Sequence, residues 1–142
     1  ARLPGSMPVG RQARIGHCTK PHTLATTYNL KNMTSEQFVK AVFTEQKEIL
    51  ATYFSNSNST EVSLLIKGMN LSEDQIIALK DIMRSAFTDL AYTLLLGLDG
   101  EAQIGGIQHT YQLLDEEGNK LAGEGEIGSF AWEYFHGKDH SD

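Results

Sequence analysis

Apolar residues recur at helical spacing in three stretches between residues 34 and 100, and that spacing breaks down on both sides of them. In the first stretch Phe38, Val42, Ile49 and Tyr53 interleave with Val39, Phe43, Leu50 and Phe54, which predicts a helix with a wide apolar stripe. Thr34 with Gln37 three residues on is the spacing of a capping box, in which two side chains satisfy two amides that the helix itself leaves unpaired. The run Ser55-Asn56-Ser57-Asn58-Ser59 competes for the same hydrogen bonds and places the end near Phe54. The second stretch, Thr60 to Lys67, carries Val62, Leu64, Leu65 and Ile66. With Thr60 as a cap and Gly68 as a left-handed stop, it is expected to be a short helix. In the third, Ser72 and Gln75 repeat the capping spacing, and Glu73 and Asp74 lie in the first turn, where the helix dipole favours anions. Ile76, Leu79, Met83, Phe87, Leu90 and Leu94 run down one face. The segment from Leu90 to Leu96 is apolar nearly all round, so Leu90 and Leu94 are expected to anchor a buried spine, with Gly97 and Gly100 ending the helix.

Beyond Gly100 the texture changes. His109 to Leu114 alternates as a strand does, Asp115-Glu116-Glu117-Gly118-Asn119 has turn chemistry, and Lys120-Leu121-Ala122 begins a return strand, together predicting a hairpin. A short helix, capped by Ser129 and ending at Phe135, follows, and a polar tail starts at Gly137. The fold class expected is therefore α+β, mainly helical: a small helical domain with a C-terminal β-hairpin and a short terminal helix.

Charge adds a division that the apolar pattern only suggests. Arg2, Arg11, Arg14, Lys20 and Lys31 precede residue 32, whereas all 18 acidic residues follow it. Residues 1–32 are expected to form a basic arm and residues 33–142 a single acidic globular domain, a length that suits one core. Three origins fit the arm: upstream sequence before a natural start at Met33, an organelle-targeting peptide, or a segment that docks on an anion or on the acidic domain. No apolar run approaches the ~20 residues of a membrane span, and no secretory h-region follows the basic start. The lone cysteine, Cys18, excludes an internal disulfide and points to a reducing, cytoplasmic setting. A net charge of −6 disfavours nucleic-acid binding by the domain itself and favours basic partners.

Candidate chemistry is sparse. Asp99 and Glu101, in the loop after the long helix, have the oxygen chemistry of a cation site or an acid–base pair, but the spacing is not that of an EF-hand. His17, Cys18 and His22 in the arm offer soft ligands for zinc, short of the four a closed site needs unless His109, His136 or His140 completes it. Gly105-Gly106 belongs to no nucleotide fingerprint, and neither a serine or cysteine nucleophile motif nor H-E-x-x-H is present. Trp132 and Tyr134 belong to an aromatic cluster beside acids, as a binding surface or a core clamp would show, and Glu133 with His136 has the spacing of a local pair. No cofactor is implied.

These residues lead to one expectation and two alternatives. The expectation is a non-enzymatic protein-binding domain that presents an acidic surface to a basic partner. Asp99, Glu101, Asp115, Glu116 and Glu117 would supply charge, and Trp132 and Tyr134 the anchors. In general type the chain resembles small bacterial accessory proteins, including immunity proteins that neutralise basic nuclease toxins. That likeness covers no specific residues and implies no more than the same kind of role. The alternatives are a metal-dependent or acid–base hydrolase built on Asp99, Glu101, His109 and Glu133, and a structural homo-oligomer that associates through exposed aromatics.

Overall fold

A computed structural model of the chain describes residues 32–56 and 60–137, and its regular structure is four helices: α1 (Ser35–Tyr53), α2 (Glu61–Gly68), α3 (Glu73–Asp99) and α4 (Glu126–His136). The first three carry their own start signals. Thr34 Oγ1 accepts the Gln37 amide and Gln37 Oε1 accepts the Thr34 amide, both at 3.1 Å. Thr60 with Ser63 and Ser72 with Gln75 make the same reciprocal pair. Each box satisfies two amides that would otherwise lack partners, which is why the starts fall where the spacing predicts. The ends differ in detail. Gly68 is still helical, and the left-handed residue is Asn70 at φ +50°. Gly97 also lies inside its helix, buried where an added Cβ would strike the side chain of Ile104. Gly100, at φ +86°, is the residue that stops α3, because that conformation is cheap without a Cβ.

The core forms where α4 lies across α1 and α3. Val39 of α1, Leu95 of α3, Ala122, and Ile127 and Ala131 of α4 are buried together, ringed by half-buried residues that include Phe38, Tyr92, Phe130 and Phe135. Phe43 meets Phe135 edge-on at 5.2 Å and Tyr134 at 5.8 Å, pinning α4 to α1. Among the described helices, the short α2 packs on α1 alone. No helix among the described residues is long and apolar enough to cross a membrane.

The structure corrects the expected fold class: the described residues contain no strand, and the C-terminal hairpin does not form. The turn at Asp115–Asn119 exists and closes one isolated bridge, Leu114 to Lys120, with Leu121 donating to the Leu113 carbonyl at 2.7 Å. The ladder stops there because Gly123, at φ +99°, turns the chain away and gives its N–H to Asp99 instead of to a facing strand. The residues expected to form the first strand, from His109, therefore make no ladder beyond the single bridge at Leu114.

Two further expectations are overturned. Ser129 does not cap α4, which begins one turn earlier from Gly125; the Ser129 hydroxyl donates back to the Gly125 carbonyl. Leu90 and Leu94 are not a buried spine, being 60 % and 40 % exposed. At ~1.5 Å per residue the 27-residue α3 is ~40 Å long, far longer than the 11-residue α4 that covers it. The face of Tyr92, Leu95, Leu96 and Asp99 meets α4, and the face of Leu90 and Leu94 is left open.

Candidate functional site

The acids expected to form a loop site converge on the first turn of α4. That helix has no side-chain cap of its own, since its N-cap is Gly125. Asp99, only 6 % exposed at the end of α3, supplies the cap from a distance: Oδ1 accepts the Gly123 N–H at 2.7 Å and Oδ2 the buried Gly128 N–H at 3.0 Å. A carboxylate at a helix C-terminus is electrostatically disfavoured, and here the positive end of a second helix offsets that cost. The Glu101 carboxylate rests against Gly125 and Gly128 on the same turn. Glu126 accepts the Ser35 hydroxyl at 2.9 Å, tying the starts of α1 and α4 together. A cavity of about 40 Å³ between Ser35, Asp99, Lys120, Glu124 and Glu126 has room for about one water. Both Asp99 oxygens are committed to backbone amides, so the residue is neither a free base nor a free ligand.

The other expected sites are scattered. Asp115 organises its own turn: its carboxylate accepts the Asn119 side chain at 2.7 Å and the backbone amides of Asn119, Glu117 and Met33. The Asn119 carboxamide is the main cause holding its pKa below the usual carboxylate range; desolvation opposes this, and the three amides add to it. Glu116 and Glu117 are exposed on that turn. The His109 ring lies edge-on to Tyr111, and no group of three or more His, Cys, Asp or Glu among the described residues could hold a metal ion. The cluster of His17, Cys18 and His22, like His140, lies outside the described residues. Trp132 and Tyr134, two apart on α4, diverge. Tyr134 packs on Phe43 and donates its hydroxyl to Glu36 at 3.3 Å, whereas Trp132, 60 % exposed, stands beside Tyr92 and His136 on the α3 side. His136 sits edge-on to Tyr92 at 4.6 Å, the geometry of a ring contact.

A concave feature between α1 and α3 was not expected. A groove of about 670 Å³ opens between the two helices, with no α4 residue in its lining. Its walls include Phe38, Val42, Ile49 and Tyr53 of α1 and Phe87, Leu90, Leu94 and Leu98 of α3. Glu45 and Gln46 interrupt an otherwise apolar and aromatic lining. Gln46 is 9 % exposed, and its Nε2 donates to Thr88 Oγ1 at 3.0 Å, a polar bridge from one helix to the other. Its Oε1 is buried without a hydrogen-bond donor among the described residues. A sequence signal for this site exists: Gln46 falls four residues after Val42 and three before Ile49, within the apolar stripe of α1, where a core face would carry a hydrocarbon.

No protein-family model matches the chain, and no curated protein or solved structure matches it either. Of the expected hydrolase set, Asp99 and Glu101 serve α4, and His109 lies against Tyr111.

Proposed function

We propose that this domain is a non-enzymatic binding module and that its working surface is the apolar groove between α1 and α3. The observation that carries the reading is the exposure of Leu90 and Leu94 along a concave wall rather than singly on a convex one. Isolated exposed leucines are ordinary, but a continuous apolar concavity in the ~300–1,000 Å³ range is the usual form of a small-molecule site. The commitment of Asp99 to two backbone amides also removes the best acid from the competing hydrolase reading.

A titration with N-phenyl-1-naphthylamine, an uncharged fluorophore that brightens in apolar surroundings, tests this directly. Saturable one-to-one binding is expected. Ala41→Trp should abolish it, since Ala41 is an exposed residue of the groove lining and a bulky ring there fills the space. Absence of saturable binding, or binding indifferent to Ala41→Trp, would sink the proposal.

A second reading, electrostatic capture of a basic protein, retains support from Glu116 and Glu117, exposed on a turn that Asp115 holds in shape. Reversal of both to Lys should slow association with such a partner in a salt-dependent way while leaving fluorophore binding unchanged. If the double reversal instead removes fluorophore binding, the groove is not the working surface.

A further inference from the structure

We infer that the groove is also a self-association surface. A second copy of the chain closes it, with the α3 helices of the two copies packed antiparallel about a two-fold axis, so that self-association and small-molecule binding compete for the same walls. The inference rests on the groove reading above and names the macromolecular partner of that surface.

The spacing of apolar residues along α3 leads to this arrangement. Ile76, Leu79, Met83, Phe87, Ala91 and Leu94 share one face of the helix at steps of three, four, four, four and three residues. The series reads the same in both directions. An antiparallel second α3 therefore sets Ile76 opposite Leu94, Leu79 opposite Ala91 and Met83 opposite Phe87, and the two-fold axis repeats each pair. Large meets small at Leu79 and Ala91, which lets the two helices interdigitate. Lys80, at the edge of the stripe, falls opposite Leu90, which its aliphatic stem can cover while the ammonium stays in water.

The fold leaves much of this face open. Ile76, Leu90 and Leu94 are exposed, and α2, the helix next in sequence, packs on α1 rather than on α3. The first half of α3, up to Ala86, contributes no residue to the groove, whereas the second half is one of its walls. Antiparallel pairing lays the first half of each α3 into the groove of the other copy, and α1 and α3 of both copies then form a four-helix layer. Along the ~28 Å of α1 and the ~40 Å of α3, two helices each ~10 Å across offer on the order of 700 Å² per copy. A specific interface must clear about 1,000 Å² in total, and a standard one buries about 800 Å² per partner, so the surface suits a reversible dimer.

Sedimentation equilibrium of the full chain, with and without N-phenyl-1-naphthylamine, tests the inference. A monomer–dimer equilibrium with a dissociation constant on the order of 10 µM is expected. Saturating fluorophore should shift it to monomer, because two events that exclude one another weaken each other by the same factor. Ile76→Glu puts a carboxylate on the pairing face, at a partly exposed position in the first turn of α3 where the helix favours an anion. The axis repeats the change, so association should weaken by more than about tenfold. Ile76 lies outside the groove lining, so fluorophore binding should persist in that variant. Cross-linking reads the direction of pairing. In a Cys18→Ser background, Leu79→Cys combined with Ala91→Cys should give a covalent dimer on mild oxidation, since the two positions are ~18 Å apart along one helix and too far to bridge within one copy. Neither single variant should cross-link.

A chain that stays monomeric at about 1 mM overturns the inference and leaves the groove reading standing. So does a dimer that Ile76→Glu leaves intact, a double variant that fails to cross-link, or a single variant that succeeds. A dimer that binds the fluorophore without dissociating also overturns it, since the two surfaces would then be separate. Failure of the monomeric Ile76→Glu chain to bind the fluorophore defeats the groove reading itself, and the competition with it.

Discussion

Removal of the Asp99 carboxylate isolates the device that joins α3 to α4. Asp99→Ala takes away the acceptor for two backbone amides, Gly123 at 2.7 Å and Gly128 at 3.0 Å, the second fully enclosed. A buried amide left without a partner costs ~1–3 kcal/mol, so the pair should cost about 2–5 kcal/mol in all. A domain of this size has only ~5–15 kcal/mol of stability, and the thermal midpoint should fall by about 10 °C or more. Asp99→Asn keeps one oxygen of similar position and can still serve one amide, but it turns an NH₂ toward the other. Its cost should be about half that of the alanine variant. Urea unfolding followed by circular dichroism gives the total, and amide hydrogen exchange at Gly123 and Gly128 locates it: protection at these two sites should drop before that of Val39 or Leu50. The reasoning fails if Asp99→Ala costs less than ~0.5 kcal/mol, or if the Gly128 amide remains protected in the variant, since another group would then be capping α4.

Other expectations follow from packing and titration. Ile127→Ala, which empties a fully buried position, should cost about 2–5 kcal/mol, whereas Leu90→Ala, at a position 60 % exposed, should cost less than ~1 kcal/mol; chemical denaturation of the two variants compares them. Ser72→Ala removes half of one capping box and should cost ~1 kcal/mol by the same measurement. Because Asp115 has a lowered pKa in the fold, its stabilising contribution is fully present above the unfolded aspartate value, ~3.9, and is lost as pH falls through the lower folded one. Thermal midpoints recorded between about pH 2 and 5 should therefore rise less steeply with pH in Asp115→Asn than in the parent chain.

What could be read in the sequence was what is encoded locally. Thr34 with Gln37, Thr60 and Ser72 with Gln75 announce three helix starts within a turn of themselves, and all three are found. The start of α4 escaped because its cap is Asp99, 27 residues before Glu126, so Ser129 was the nearest residue with the right chemistry. The hairpin was suggested by alternation and turn residues that do produce a turn, but the ladder depends on where the Gly123 amide finds its acceptor, which is again Asp99. Periodicity identified the apolar faces of α3 without identifying which of them a neighbour would cover. Leu90 was thus assigned to a core when it lines a groove. The acids of the 99–101 loop were singled out for their chemistry, and the fold uses that chemistry on its own backbone. Gln46 was the one signal of the groove available beforehand, a carboxamide set within a hydrocarbon stripe.

The borrowed cap of α4 also bears on the order in which the chain folds. Isolated helices shorter than about 12–15 residues are marginal in water, and α4 has 11 residues and a glycine where a cap should be. The turns that start α1, α2 and α3 need nothing beyond their own neighbours and can flicker into place within about a microsecond. The last helix must wait until the end of α3 exists and the intervening segment has closed on it, so the closure entropy of that segment falls on α4 alone. Substitutions at Asp99 and at Ile127 should therefore act mainly on the unfolding rate, and those at the cap of α3 mainly on the folding rate. A chain paused on the ribosome before Glu126 emerges would present α1 and α3 with their α4-facing side uncovered. A second apolar face would then be open in addition to the groove, and that interval is when the protein is most exposed to aggregation.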